Sequence, residues 1–207
     1  MASSFSSTSK TGDAPPPPPP PPVVKKAPTP LPAPKPPTVA SKGPPGAFLV
    51  ELLVYNGSPF KDHCAYFVCS HRNRDTGVRI HATGDVRNGF EFNIERSHNF
   101  DETGNYPTTR IPLQWVNAQH FDEKAMLNHG SPKIDTVPVC GFEVSVNKAK
   151  APGKTLNSVE DTAFKTKTGK KIIQNNCQSW LVESADFLVQ DRIFNSDVAV
   201  YLHAIEQ

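Results

Sequence analysis

No stretch of this chain approaches the roughly 18–20 consecutive apolar residues that a membrane-spanning helix needs, so no membrane span is expected. Cysteine is scarce: four residues at 64, 69, 140 and 177, too irregularly spaced for a disulfide framework. The opening Met1-Ala2-Ser3-Ser4-Phe5-Ser6 lacks the basic and apolar regions of a secretory signal. Together these absences lead to the expectation of a reducing, cytoplasmic setting. An excess of one charge is missing as well, with 22 Lys+Arg against 20 Asp+Glu. What basicity there is lies in the first 46 residues, where five lysines meet one aspartate, leaving the rest at about −2. That excludes a basic nucleic-acid footprint. There is no internal repeat.

Proline is abundant but confined. Residues 1–46 hold 16 of the 22 prolines, eight of them in a row from Pro15 to Pro22. A segment so poor in apolar side chains cannot offset its ordering entropy and is predicted to be a disordered, polyproline-rich tail. It reads as a solvated spacer without core contacts, or as a ligand for a polyproline-binding protein with an aromatic-lined groove. Residues 47–207 have ordinary globular composition and suit one domain with a single core.

Within that domain, Ala47–Tyr55 is a nearly continuous apolar run that reads as a buried central strand, ended by the turn Asn56-Gly57-Ser58-Pro59. Cys64–Ser70, Val78–Thr83 and Phe90–Ser97 are predicted strands joined by polar turns. Asn99–Thr109 reads as a loop, Arg110–Val116 as a short strand and Phe121–Asn128 as a weak helix. Val137–Val146 alternates like a strand, Ser158–Lys165 follows as a helix with an approximate capping box, and Thr166–Lys171 as a basic loop. Helices are then predicted from Cys177 to about Asp191 and from Ser196 to Ala204. Strands first and helices last give an α+β class: an antiparallel sheet packed against C-terminal helices.

The chemistry-bearing residues are few. Cys177, Trp180/Leu181, Ser184 and Phe187/Leu188 recur at three- and four-residue spacing, so the cysteine opens an amphipathic helix. The helix N-terminus is expected to lower the thiol pKa and favour the nucleophilic thiolate. If the strands carrying His63 and His81 pair as a hairpin, the two rings meet at one end of the sheet, where a packed helix would deliver Cys177. His63 would then take the thiol proton and His81 would fix its orientation. The backbone amide of Cys177, with Asn176 or Gln178, would be the candidate oxyanion donors. Asp85 is an alternative orienting group.

Other readings are weaker. Cys64 and Cys69 face opposite sides of a regular strand and cannot share a zinc ion with His63 and His71, so neither metal nor cofactor is expected. His98, His120 and His129 lie in polar surroundings and read as surface residues.

The segments His63-Cys64-Ala65-Tyr66-Phe67-Val68, Val78-Arg79-Ile80-His81-Ala82 and Asn176-Cys177-Gln178 resemble the His…His…Asn-Cys order of circularly permuted papain-like enzymes. The lecithin:retinol acyltransferase group has this order. The resemblance implies a permuted papain-like fold with Cys177 as nucleophile, His63 as base and His81 as third polar group. It departs from that group at Cys64, where an aromatic residue is usual, and at Gln178-Ser179, where Glu-His is usual. A C-terminal membrane anchor like that group's is not expected here. Hydrolysis of a soluble amide, ester or thioester therefore fits at least as well as lipid acyl transfer, with a small molecule, lipid or peptide as substrate. Val54-Tyr55-Asn56-Gly57, Arg79-Ile80-His81-Ala82-Thr83-Gly84-Asp85-Val86 and Asn176-Cys177-Gln178-Ser179-Trp180 also resemble a fungal family of uncharacterised proteins, over roughly Phe48 to Ala204. An inactive binding module on the same fold, with the tail docking a partner, is the alternative function.

Overall fold

Six strands pair side by side, every neighbouring pair antiparallel: β1 (Phe48–Tyr55), β2 (His63–Cys69), β3 (Thr76–Asp85), β4 (Gly89–Asn99), β5 (Thr109–Val116) and β6 (Lys133–Asp135). Their spatial order is β5-β1-β2-β3-β4-β6, so β2 and β3 form the central pair and the continuous apolar run of β1 lies beside them, inside the edge strand β5. The computed structural model describes residues 33–154 and 175–207. The predicted helix Ser158–Lys165, the loop Thr166–Lys171 and most of the proline-rich segment lie outside the described residues.

Strand alternation divides the core in two. Val50, Leu52, Cys64, Tyr66, Val68, Val78, Ile80 and Ile94 face one way. Leu49, Leu53, Ala65, Phe67 and Cys69 face the other, with Phe100 packed on them. Because both faces are covered, the central strands carry apolar residues at successive positions rather than at alternate ones. On the first face lie α3 (Gly141–Val146), α4 (Cys177–Gln190) and α5 (Ser196–Ile205). Trp180, Leu181, Ala185 and Leu188 of α4 are buried there. The Tyr66 hydroxyl donates to the Leu181 carbonyl at 2.9 Å and the Trp180 indole to the Ala149 carbonyl at 3.1 Å. The architecture is α+β, an antiparallel sheet with helices packed on it.

Two predicted elements change type. Val137–Val146 is a helix in its second half, not a strand. The ambiguous apolar run is decided by Glu143, fully buried, which accepts the Val139 N–H at 2.8 Å and pairs with Arg96 of β4 at 3.0 Å. Winding the chain at Gly141 puts Phe142, Glu143, Ser145 and Val146 on one buried side. The loop predicted from Asn99 begins with a single helical turn, α1 (Phe100–Thr103), capped by Asn99, that drops Phe100 into the second core cluster. The predicted helix around Phe121–Asn128 shrinks to α2 (Glu123–Met126), capped by Asp122.

The compact unit begins at Pro34, upstream of Ala47. Val39 packs on the second cluster, the Trp115 indole donates to the Ala40 carbonyl at 2.8 Å, and Gly43 lies so close to the Trp115 ring that a Cβ there would clash. Composition assigned these residues to a contact-free spacer; Trp115 on β5 supplies the surface that holds them.

Two stability experiments follow. Removal of residues 1–33 is expected to leave the thermal midpoint unchanged, whereas removal of 1–45 uncovers Trp115 and costs about 1–2 kcal/mol. Equal midpoints for the two truncations would show that the 34–46 contacts contribute nothing. Glu143→Ala removes one of the two carboxylates on the buried Arg96 guanidinium, leaving Asp135 at 3.0 Å, and strips the Val139 N–H of its acceptor; it is expected to cost about 2–4 kcal/mol in denaturant unfolding.

Candidate functional site

At one end of the sheet, Tyr55 closes β1 directly opposite His63, which opens β2. The β2–β3 register sets Phe67 against Arg79, so His63 and His81 share the face that carries Ala65 and Phe67. Their rings meet edge-on: His63 Nε2 lies 2.8 Å from His81 Nδ1. The second nitrogen of His81, Nε2, lies 3.2 Å from Oε1 of Glu95. Arg79 donates to the same oxygen at 2.6 Å and His98 Nδ1 lies 2.9 Å from Oε2. Arg79 also donates to the Tyr55 hydroxyl at 2.9 Å, with its guanidinium carbon 5.5 Å from the ring centre.

A bulge makes this cluster possible. Gly77 pairs with His98 and Arg79 with Glu95, so β4 spends three residues where β3 spends two. Ser97 takes φ +50°, in the left-handed region, and absorbs the extra residue. Glu95 and His98 therefore point to the same face, which regular alternation forbids for residues three apart. His98, expected at the surface, is only 4% exposed for this reason. His120 is half-buried and His129 exposed. Asp85 is exposed and serves its own turn, accepting the Arg87 and Asn88 N–H groups at 2.7 and 2.9 Å, and orients no histidine.

Cys177 is the first residue of α4. Asn176 caps the helix, its carboxamide oxygen accepting from the N–H groups of Gln178 and Ser179 at 2.8 and 3.3 Å, while the Ser179 hydroxyl accepts the Asn176 N–H at 2.8 Å. This reciprocal pair fixes where the helix starts. The start is tied to the entrance of β2. Gln178 Nε2 donates to the Asp62 carbonyl at 2.9 Å, and its Oε1 accepts the Gln207 N–H at 2.9 Å. Cys177 Sγ lies 3.9 Å from that same Asp62 oxygen and receives the Cys64 N–H. The sulfur thus abuts the backbone on both sides of His63, while the His63 ring itself turns with Ala65 and Phe67 to the other face of the sheet and towards His81; among the described residues no hydrogen bond joins the thiol to the imidazole. The side chains of Asn176 and Gln178 hold this junction together.

Burial decides the charge states. The Cys177 thiol is pushed above its ordinary pKa by desolvation, against the pull of the N–H groups of Cys64, Cys177 and Gln178. The expected thiolate-favouring shift from the helix N-terminus is present in those amides but loses to burial. Cys64 and Cys69 are driven to about 12 and Cys140 to about 11, desolvation being the largest cause in each. His63 is lowered to about 4, by burial first and then by the electrostatic repulsion that a proton on it would meet from the His81 side and from Arg79. At Glu95 burial favours the neutral acid, but hydrogen bonds from His81, His98 and Arg79 prevail and hold the carboxyl well below the usual carboxylate range.

Glu95 is the site residue the sequence reading missed. The available signal was a charge pair, with Arg79 and Glu95 of opposite sign on neighbouring strands in faces that are otherwise covered. Among the described residues, no cluster of three or more His, Cys, Asp or Glu side chains is arranged to hold a metal ion. Nor is any helix there long and apolar enough to cross a membrane.

A family model described as a family of unknown function, DUF6540, matches residues 50–195, and the chain belongs to that family. No curated protein and no solved structure matches.

The His63 shift sets a pH dependence of stability. The unfolded ring binds a proton near pH 6.5 and the folded one only near 4, so the unfolded state holds more protons between these values. Stability is therefore complete above 6.5 and declines as pH falls towards 4, by up to ~3 kcal/mol at 1.36 kcal/mol per unit. Glu95 adds its own loss only below about 4.5. Chemical unfolding of the native chain is expected to show this slope between pH 6.5 and 4.5, and His63→Gln to flatten it. The same slope in both proteins would assign it elsewhere.

Proposed function

We propose that this member of the family is a cysteine-dependent hydrolase or acyltransferase of permuted papain-like type, with Cys177 as nucleophile and His63 as base. The observation that carries this reading is the junction of α4 with β2. The thiol sits against the Asp62 carbonyl and the Cys64 amide, the two backbone groups that flank His63, and the His63 ring is held through Nε2 by His81. In the reaction the thiol proton passes to His63 as sulfur attacks the acyl carbon. A carbon–sulfur bond forms, the bond to the amine, alcohol or thiol leaving group breaks, and the His63 imidazolium protonates that group. Water, activated by the same imidazole, hydrolyses the thioester; a second nucleophile in its place gives acyl transfer. The Cys64 and Cys177 N–H groups, already turned to the sulfur, are the nearest donors for the oxyanion.

At rest the pair is a neutral thiol and a neutral imidazole, so forming the thiolate costs a proton transfer to a weak base. The thiol holds its proton until a substrate carbonyl is in place, and a weakly basic ring releases it readily to the leaving group. The same neutral pair also favours a second reading, a binding module that holds a ligand without turning it over. The raised thiol pKa is the observation behind it.

Iodoacetamide labelling read by mass spectrometry separates the two. The enzyme reading expects Cys177 to alkylate faster at pH 7–8 than Cys64, Cys69 or Cys140, and His63→Ala to slow it by at least about tenfold, the lower end of general-base effects falling near a hundredfold. Labelling of Cys177 no faster than the other three would leave the binding module.

A further inference from the structure

The geometry points to Glu95 as a positioning residue that acts through His81 to set the tautomer of His63, and so which of its nitrogens is left free to accept a proton. The inference rests on the role proposed for His63, and follows from counting protons along one chain of contacts. An ionised carboxylate only accepts hydrogen bonds. Its Oε1 lies 3.2 Å from His81 Nε2 and its Oε2 2.9 Å from His98 Nδ1, so each of these nitrogens carries a hydrogen. The Nε2 atom of His98 is buried and has no hydrogen-bond partner among the described residues. A lone pair there is tolerated better than a stranded N–H, which agrees with the proton residing on Nδ1.

In a neutral His81 ring with the hydrogen on Nε2, Nδ1 is a bare acceptor. The partner 2.8 Å away, His63 Nε2, must then donate. That places the His63 hydrogen on Nε2 and leaves Nδ1 with the lone pair, ready to take a proton. Glu95 never meets the thiol, yet its charge writes the tautomer of the base two rings away. Arg79, at 2.6 Å from the same carboxylate, balances the charge so that it persists away from bulk water. Tyr55 holds the other end of Arg79. The bulge at Ser97 brings Glu95 and His98 to one face and so belongs to the same device.

The test reads the rings directly, without a substrate. In long-range nitrogen–proton NMR spectra of the native chain at pH 8, where ordinary imidazoles are neutral, His63 is expected to show a protonated Nε2 and an unprotonated Nδ1. His81 is expected to show the same pattern, and His98 the reverse. Glu95→Gln, which keeps the volume and removes the charge, is expected to return His63 to a mixture of tautomers and to slow Cys177 alkylation at pH 8 by about tenfold. A His63 ring protonated at Nδ1 in the native chain overturns the inference, as does a tautomer unchanged by Glu95→Gln. Should that variant not fold, the spectrum of the native chain still decides. If the tautomers are as stated and Cys177 is inert, the enzyme reading falls while the positioning role of Glu95 stands.

Discussion

The head of the sheet depends on keeping one carboxylate ionised where little water reaches it. Glu95 keeps its charge because Arg79, His81 and His98 all point hydrogen-bond donors at it. Desolvating a carboxylate costs several kcal/mol unless such partners are in place. Each partner is supplied by a backbone feature: β3 alternation for Arg79 and His81, and the Ser97 bulge for His98. The network in turn fixes His81, and His81 fixes His63. On the opposite side of the sheet a second buried pair, Arg96 with Glu143, anchors α3. Residues 95 and 96, side by side in the chain, thus hold one ion pair on each face of β4.

Two constraints of different kind meet at β2. Apolar burial between α4 and the sheet is non-directional and fixes only that the helix lies across Tyr66 and Ile80. The Asn176 cap and the Gln178 bridge to Asp62 fix where along the sheet it starts. The thiol thereby comes to rest against the backbone flanking His63 rather than elsewhere on the first face. Burial at that junction raises the thiol pKa and lowers that of the imidazole, so both are uncharged near neutrality.

Much of this was legible in the sequence, and what was not has identifiable causes. The strands β1 to β5 and the Cys177 helix stood out because apolar periodicity and turn residues agree there. The meeting of His63 with His81 and the helix opening at Cys177 were legible because strand alternation and helix spacing follow short-range rules. The bulge was not, since one extra residue in β4 leaves no mark in the composition of FEFNIERSH, and with it went Glu95 and the burial of His98. The helix α3 was misread because its decisive contact, Glu143 with Arg96, spans 47 positions. The contacts of residues 34–46 were hidden for a similar reason: proline content predicts disorder, and only the distant Trp115 supplies a surface to pack on.

In the proposed reaction the Cys177 sulfur is an acyl acceptor served by His63. Brief exposure of the intact chain to p-nitrophenyl acetate at pH 8, with the acetyl group located by mass spectrometry, reads that step. A hydroxylamine-labile acetyl thioester is expected on Cys177, forming much more slowly in His63→Gln. Acetylation confined to lysine side chains, or equal thioester formation in the two proteins, would rule the reaction out.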